Sequence, residues 1–433
     1  MSSNADPLTT GAASRREKVR VAGNKGIAAV LGRGPIHPFP ARMAPSIALG
    51  VLADHDEPLR VLDPMMGSGT VLAVARSRHH HAIGMDIDPL AVLIARAWTQ
   101  SVDATRATRK ARDVLRRARA AFKALPVRQA YPPNADEETR RFITYWFDGY
   151  ARRQLTALAS TIARVHDQHV RAVLWVGFSR LIITKQSGAS RAMDLAHSRP
   201  HRRYLRAPIK PFRRFLSAVD YVVRNCIHHR EPQRGPRPAI RMADARALPV
   251  PSASIDLVIT SPPYLNAIDY LRCSKFTLVW MGYSITSLRA VRAESVGSEV
   301  GQTLTVYPQE VHSVLKALRL RPALSRRDEA ILARYAHDMR SALGEIARVL
   351  KPAGKAVIVI GENTIRGTFL RNAALISSLA VQAGLQLHSR RSRLLPMNRR
   401  YLPPPRRAGQ TAELDGRIRR EVILAFTKAN NTE

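Results

Sequence analysis

The sequence predicts an α/β fold with a mostly parallel, doubly wound sheet, interrupted by a large helical insertion. Two stretches and one change of character carry that expectation. Val61–Leu72 reads as strand, glycine turn and helix, and a second strand follows that ends on an acid. Asp256–Tyr264 is an apolar, β-branched run that stops on two prolines. Between them, from about Ala104 to Arg237, glycine becomes scarce and helical spacing takes over. A continuous apolar run of four to eight residues suits a strand buried on both faces of a parallel sheet.

Composition narrows the partners. At 433 residues the chain can hold one large domain with an insertion, or two domains. It is 45% hydrophobic, enough for a sizeable core. Lys+Arg number 69 against 33 Asp+Glu, a formal net charge of +36, which points to a polyanion such as nucleic acid. The two cysteines, Cys226 and Cys273, are too few for a disulfide framework or a cysteine zinc site. Neither follows a proline, so there is no Pro-Cys nucleophile. Both read as buried thiols in a reducing cytoplasm. No apolar run reaches the roughly 20 residues of a membrane span. The polar, basic N-terminus lacks an apolar signal core. No metal site is expected. The expected location is the cytoplasm, in association with the nucleoid.

Residues 1–35 read as a disordered basic arm. Ile36–Pro45 follows as a stiff, proline-rich lead-in with Phe39 as an apolar lip for a ligand pocket, and a helix then runs to Leu52. The strand at Val61 ends on Asp63, Pro64 begins the turn, and Gly67 and Gly69 allow close ligand approach. A helix from Thr70 to about Arg78 presents free N–H groups at its start. The strand Ala82–Met85 ends on Asp86, an acid placed to hold the two hydroxyls of a ribose. A dinucleotide fingerprint wants a third glycine where Leu72 stands, so the expected ligand is an adenosine-type cofactor. His79, His80 and His81 read as a solvated turn.

Helical periodicity then covers Thr105–Leu125, Glu137–Phe147 and Arg152–Val165, while Val173–Thr184 suits a helix or a strand. From Lys185 to Ile240 there are 13 Lys/Arg against 3 acids. Lys185, Arg191, Arg199, Arg202, Arg203 and Arg206 are the candidate phosphate contacts there. The sheet resumes at Ile240, and Asp244 follows as a candidate acceptor for an adenine amine. After the Leu257–Thr260 strand comes a loop with Asn266, Asp269 and Tyr270. Lys275 to Leu324 has no firm pattern. A helix over Asp328–Leu350 stops at Lys351–Gly354. Ala356–Ile360 is a strand and Ala373–Ala383 a helix. Gln386–Arg393 and Val422–Lys428 form an antiparallel closing pair around a Pro396–Pro405 loop. That loop, with Arg399 and Arg400, is either a surface linker or faces nucleic acid. The expected division is a cofactor half at 36–103, a basic helical insert at 104–239, a catalytic half at 240–428 and a tail at 429–433.

Ser261-Pro262-Pro263-Tyr264 places a hydroxyl and an aromatic ring at the carboxyl end of a buried strand, where ligands bind in open α/β sheets. An exocyclic base amine is a poor nucleophile because its lone pair is delocalised. Holding both its N–H groups on acceptors makes the nitrogen pyramidal. Ser261 Oγ and the Pro262 carbonyl are two such acceptors. The carbonyl has no ladder duty, because proline follows it. Tyr264 offers a stacking face, worth about 1–3 kcal/mol per base in other systems.

Together these residues resemble the S-adenosylmethionine-dependent amino-methyltransferases of DNA. Asp63-Pro-Met-Met-Gly-Ser-Gly-Thr70 is similar to that family's cofactor loop. Thr260-Ser-Pro-Pro-Tyr264 is similar to its catalytic loop in the form typical of N4-cytosine enzymes, and His37–Arg42 to its lead-in. The resemblance implies a Rossmann-like class I methyltransferase fold and S-adenosylmethionine as cofactor. It also implies methyl transfer to a cytosine N4 amine in a base flipped from double-stranded DNA, with a restriction endonuclease as a possible partner. Ser261, Pro262, Pro263 and Tyr264 would be catalytic, and Phe39, Asp63, Pro64, Gly67, Gly69, Thr70, Asp86 and Asp244 would line the cofactor site. The cofactor loop precedes the catalytic loop by about 190 residues, the reverse of many N4-cytosine enzymes. Adenine N6 of DNA, guanine N2 of transfer RNA, and a non-catalytic DNA-binding protein keeping the fold are the alternatives.

Overall fold

The computed structural model describes residues 26–39, 43–196, 200–228, 235–265, 271–298, 308–320, 324–365, 368–395 and 420–429. Its frame is one seven-stranded sheet. The strands in chain order are β1 (Arg60–Asp63), β2 (His81–Asp86), β3 (Ala239–Met242), β4 (Ile255–Thr260), β5 (Leu350–Gly361), β6 (Leu385–Leu394) and β7 (Arg420–Lys428). In space they lie β6-β7-β5-β4-β1-β2-β3. The pairs β1–β2, β2–β3, β1–β4 and β4–β5 are parallel. β7 runs against both β5 and β6, the expected closing pair among them. The chain winds outward from β1 to β3 and then returns to β4 on the other side of β1. That reversal opens a crevice at the carboxyl ends of β1 and β4.

Alternate side chains of each strand enter two buried layers. Val61, Leu257, Ile259, Val357, Val359 and Ile423 face one layer. Leu62, Val258, Ala356, Ile358 and Leu424 face the other. The first layer holds helices α1 (Ile27–Leu31), α2 (Pro45–Leu52), α3 (Thr70–Ser77) and α4 (Pro89–Thr99). It continues without a break into the insert, whose helices are α5 (Ala104–Ala124), α6 (Glu137–Trp146), α7 (Gly149–Ala163), α8 (Gln168–Ile182) and α9 (Pro211–Asn225). Helices α10 (Leu271–Leu278) and α11 (Ile285–Glu294) close that side. The opposite layer is covered by α12 (Gln309–Ala317), α13 (Arg326–Val349) and α14 (Asn372–Gln382).

Four of these five insert helices start on aspartates. Asp103, Asp136, Asp148 and Asp167 cap α5, α6, α7 and α8, each side chain accepting backbone N–H groups of the first turn. Asp88 does the same for α4, with Pro89 at its first position.

Val173–Thr184, open to helix or strand from the sequence, lies mostly in helix α8. Other expectations are corrected. Residues 26–35, expected within a disordered arm, are ordered. They include α1, and Arg33 donates to the Cys226 carbonyl at 2.8 Å while Gly34 N donates to Asn225 Oδ1 at 2.7 Å. Residues 1–25 lie outside the described residues. Helix α13 stops at Val349, one residue from the expected end, and Lys351–Gly354 then forms a bulge entering β5, with Ala353 at φ +58°. His80 is not solvated. It is buried and accepts from Leu59 N at 3.1 Å. Helices α4, α9, α10, α11 and α12 have no counterpart in the sequence reading.

Candidate functional site

Two turns leave the sheet side by side, because Val61 and Leu62 of β1 pair with Leu257 and Val258 of β4. The first is the glycine turn. Gly67 has φ +51° and Gly69 φ +84°, the left-handed region. A Cβ at Gly69 would stand 3.0 Å from Ala95 Cβ, so α4 would have to give way to a side chain there. A Cβ at Gly67 would meet only the Phe39 ring, at 3.6 Å, so the lead-in does wall this turn. Asp63, Pro64 and Thr70 are buried beneath it.

Asp86 holds the turn from the end of β2. Its carboxylate accepts from Gly67 N at 2.8 Å and Asp88 N at 2.9 Å. Burial pushes its pKa up, against backbone hydrogen bonds from Asp88, Gly67 and Ile87 that favour the charged form. A carboxylate has about four acceptor positions, so capacity remains for a ribose hydroxyl. The position that a dinucleotide site gives to glycine is Leu72, and the space is found on the strand instead. A Cβ at Gly84 of β2 would lie 2.5 Å from Leu72 Cδ2 and 2.6 Å from Met66 Sδ. A bare Gly67 walled by an aromatic ring, with an acid at the end of β2, fits an adenosine-type cofactor.

Asp63 ties the two turns together. Its Oδ1 accepts from Thr260 Oγ1 at 2.8 Å and from Met65 N at 3.2 Å. Burial raises its carboxyl to about 7, the two hydrogen bonds offset part of that rise, and the charge of Asp86 adds to it. Asp88 is likewise raised to about 7 by burial and by Asp86. Ser274 Oγ on α10 donates to it at 2.6 Å, so the helix after the second turn is fastened to the start of α4.

Asp244 requires a correction. Its carboxylate is turned onto Arg246, taking the backbone N–H at 2.8 Å and the guanidinium at 2.6 to 3.1 Å. Arg246 reaches on to Asp338 of α13 at 2.7 Å and to the Glu294 carbonyl at 2.6 Å. The pair locks the end of β3 to α11 and α13. It does not present an open acceptor to an adenine amine.

The second turn divides into two halves. Tyr335 of α13, fully buried, donates its hydroxyl to the Pro263 carbonyl at 3.1 Å. Tyr264 donates its hydroxyl to Glu421 of β7 at 3.2 Å, and Arg393 of β6 grips the other oxygen of Glu421 at 2.7 and 2.9 Å. Pro263 and Tyr264 are therefore held from behind. Ser261 Oγ and the Pro262 carbonyl engage no hydrogen-bond partner among the described residues. Asn266, Asp269 and Tyr270 lie outside the described residues.

The basic candidates separate. Lys185, Arg202, Arg203 and Arg206 are exposed on the insert. Arg191 has another role, since its guanidinium donates to the carbonyls of Thr144, Tyr145 and Leu205 at 3.1 to 3.2 Å. Arg199, Arg399 and Arg400 lie outside the described residues. Among the described residues no cluster of His, Cys, Asp and Glu has the arrangement of a metal site. No described helix is long and apolar enough to cross a membrane.

Sequence reasoning misses Asp88, Ser274, Tyr335, Glu421 and Arg393, and the bond from Thr260, the first residue of the motif, to Asp63. Only Asp88 carries a local signal, as an aspartate before a proline at a helix start.

The strand order, the single reversed strand and the glycine turn beside an acid-ended β2 define a Rossmann-like α/β fold, mostly parallel, with a crevice shaped for an adenosine-type cofactor. No protein-family profile matches the chain. Among characterised proteins, the Type II methyltransferase M.MvaI of Kocuria varians is 21% identical over 374 residues, covering 79% of this chain and 80% of that one. A TehB-like S-adenosylmethionine-dependent methyltransferase of Corynebacterium glutamicum overlays with a TM-score of 0.28 at 10% identity, covering 88% of this chain and 87% of that one. A protein of Thermus thermophilus, provisionally named a DNA modification methylase, overlays with a TM-score of 0.22 at 18% identity, covering 44% of this chain and 54% of that one. The fold rests on the strand order.

Proposed function

We propose that the chain is a DNA methyltransferase that transfers the methyl group of S-adenosylmethionine to the N4 amine of cytosine in duplex DNA. One observation carries the reading. The Ser-Pro-Pro-Tyr turn stands beside the glycine turn at the β1/β4 crevice, with Ser261 Oγ and the Pro262 carbonyl uncommitted among the described residues and Pro263 and Tyr264 held. The likeness to a Type II methyltransferase over most of the chain supports DNA as the substrate.

Phe39, Asp63, Pro64, Gly67, Gly69, Thr70 and Asp86 would form the cofactor site, with Asp86 taking the ribose hydroxyls. The bound cofactor supplies a methyl carbon on a sulfonium leaving group. The chain supplies the remaining requirements. Ser261 Oγ and the Pro262 carbonyl accept the two N–H groups of the amine and turn its lone pair toward the crevice. Tyr264 stacks on the flipped base. The surplus proton departs along the Ser261 hydrogen bond to water. Lys185, Arg202, Arg203 and Arg206 contact phosphates from the insert, which acts in target recognition. A restriction endonuclease of matching specificity is the partner this reading suggests.

Nucleoside mass spectrometry on DNA and RNA from cells expressing the chain, beside cells expressing Ser261→Ala, tests this. N4-methylcytosine in DNA from the first alone is the expected result. N6-methyladenine would keep the mechanism and change the base. N2-methylguanine in RNA would move the substrate to RNA. Cofactor binding with no modified base anywhere would favour a DNA-binding protein without catalysis.

A further inference from the structure

The loop Pro200–Ala207, between α8 and α9, is unusually well fastened for a surface segment. The Arg191 carbonyl accepts from Arg203 N at 2.9 Å and Tyr204 N at 3.0 Å. Ala192 bridges to Arg202 in antiparallel fashion. Arg191 Nε donates to the Leu205 carbonyl at 3.1 Å, while its Nη1 reaches the last carbonyls of α6. Asp148, the cap of α7, takes Ala207 N at 2.7 Å. A partly exposed arginine thus has its guanidinium committed to one loop and the helix end beneath it.

That frame holds Leu205 out in water. The side chain is 83% exposed, the most of any large hydrophobic residue described. A lone exposed leucine on a loose loop would mean nothing. Here the backbone is immobilised and the surroundings are cationic. Arg202, Arg203 and Arg206 are exposed, and no carboxylate pairs with them among the described residues. Arg202 lies 5.4 Å above the ring of Tyr145, itself 51% exposed. The helix end beneath the loop also packs toward the catalytic side. Phe142 and Trp146 of α6 pack edge-on against Phe276 of α10, with centroids at 5.1 and 5.0 Å. Helix α10 follows the Ser-Pro-Pro-Tyr turn in the chain.

A rigid aliphatic tip ringed by cations fits a duplex, whose phosphates meet the cations and whose base stack admits the tip. We propose that Leu205 is a wedge that enters the base stack of duplex DNA and fills the gap as the target base turns out, with Arg202, Arg203 and Arg206 on the flanking phosphates. The inference rests on the DNA methyltransferase reading.

The test uses the full chain, the duplex sequence found modified in cells, and the same duplex mispaired at the target base. A mispaired target needs little help to leave the stack. Leu205→Ala should lower kcat/KM on the paired duplex by about tenfold and on the mispaired one hardly at all. The salt slope of binding should stay the same, and Leu205→Met should restore most of the activity. The double change Arg203→Gln with Arg206→Gln should instead reduce the salt slope and weaken both duplexes equally. Wild-type rates in Leu205→Ala, or an equal loss on the two duplexes, would overturn the wedge while leaving the methyltransferase reading intact. A wild-type chain that modifies no duplex would overturn both.

Discussion

Asp63 joins the two turns through a carboxyl that burial raises to about 7 from an ordinary value of 3.8, and Asp88 shares that displacement. Between those two values the folded chain binds more protons than the unfolded chain. Stability therefore falls as pH rises across this window and levels off above 7. From pH 5 to 8, Tm should fall with rising pH, and Asp63→Asn should make that fall shallower. One carboxyl contributes at most about 1.4 kcal/mol per pH unit. A rise of Tm across pH 5–7 that Asp63→Asn leaves untouched would contradict the assignment. Tyr335 offers a cleaner test of the second turn, because phenylalanine keeps its packing and removes only the hydroxyl on Pro263. Tyr335→Phe should lower kcat on the order of two- to tenfold, leaving KM and cofactor affinity unchanged. A change in KM or Tm with kcat preserved would reduce Tyr335 to a packing residue.

Among the elements, β2 and α3 approach closely because the strand gives up a side chain. Gly84 leaves the space that Leu72 fills. Gly84→Ala should cost about 1–3 kcal/mol by overpacking, and Leu72→Ala about 2–5 kcal/mol by leaving a cavity. The double variant should cost clearly less than the sum, which urea unfolding of the three variants would show. Strict additivity would mean the two residues do not share that space. The same pair shows what the sequence hid. A leucine at the third glycine position argued against a dinucleotide, yet nothing local said that the missing volume had moved to the neighbouring strand. Helices α5, α6 and α7 of the insert were readable from spacing, whereas α9, α10, α11 and α12 were not. The last three carry short apolar patterns, and Phe276 and Ser274 find their partners far away in the sequence.

At the scale of the molecule, the insert and the sheet share one buried layer running from α2 through α9 to the face of β4. The chain should therefore unfold in a single calorimetric transition. Two transitions, or a stable fragment at 104–225 after limited proteolysis, would show that the insert folds on its own. The net charge of +36 acts over the same whole. Duplex binding should weaken steeply with salt, with log K falling by about 0.9 per phosphate contact for each unit of log salt. Replacing Arg202, Arg203 and Arg206 by glutamate should weaken binding and flatten that slope. An unchanged slope would remove the loop from the interface.

The amino-acid sequence by itself determined the order of strands and turns, the glycine loop with its strand-two acid, and the Ser-Pro-Pro-Tyr turn. All of these are written in contiguous residues whose backbone preferences and period-two or helical spacing are local. Tertiary structure decided the rest. It turned Asp244 onto Arg246, spent Arg191 inside the insert, and set Tyr335 and Glu421 behind Pro263 and Tyr264. Those partners stand 72 and 157 residues away from the groups they hold. A hydrogen bond over that separation leaves no periodicity in the chain, because it exists only once two packed layers bring donor and acceptor together.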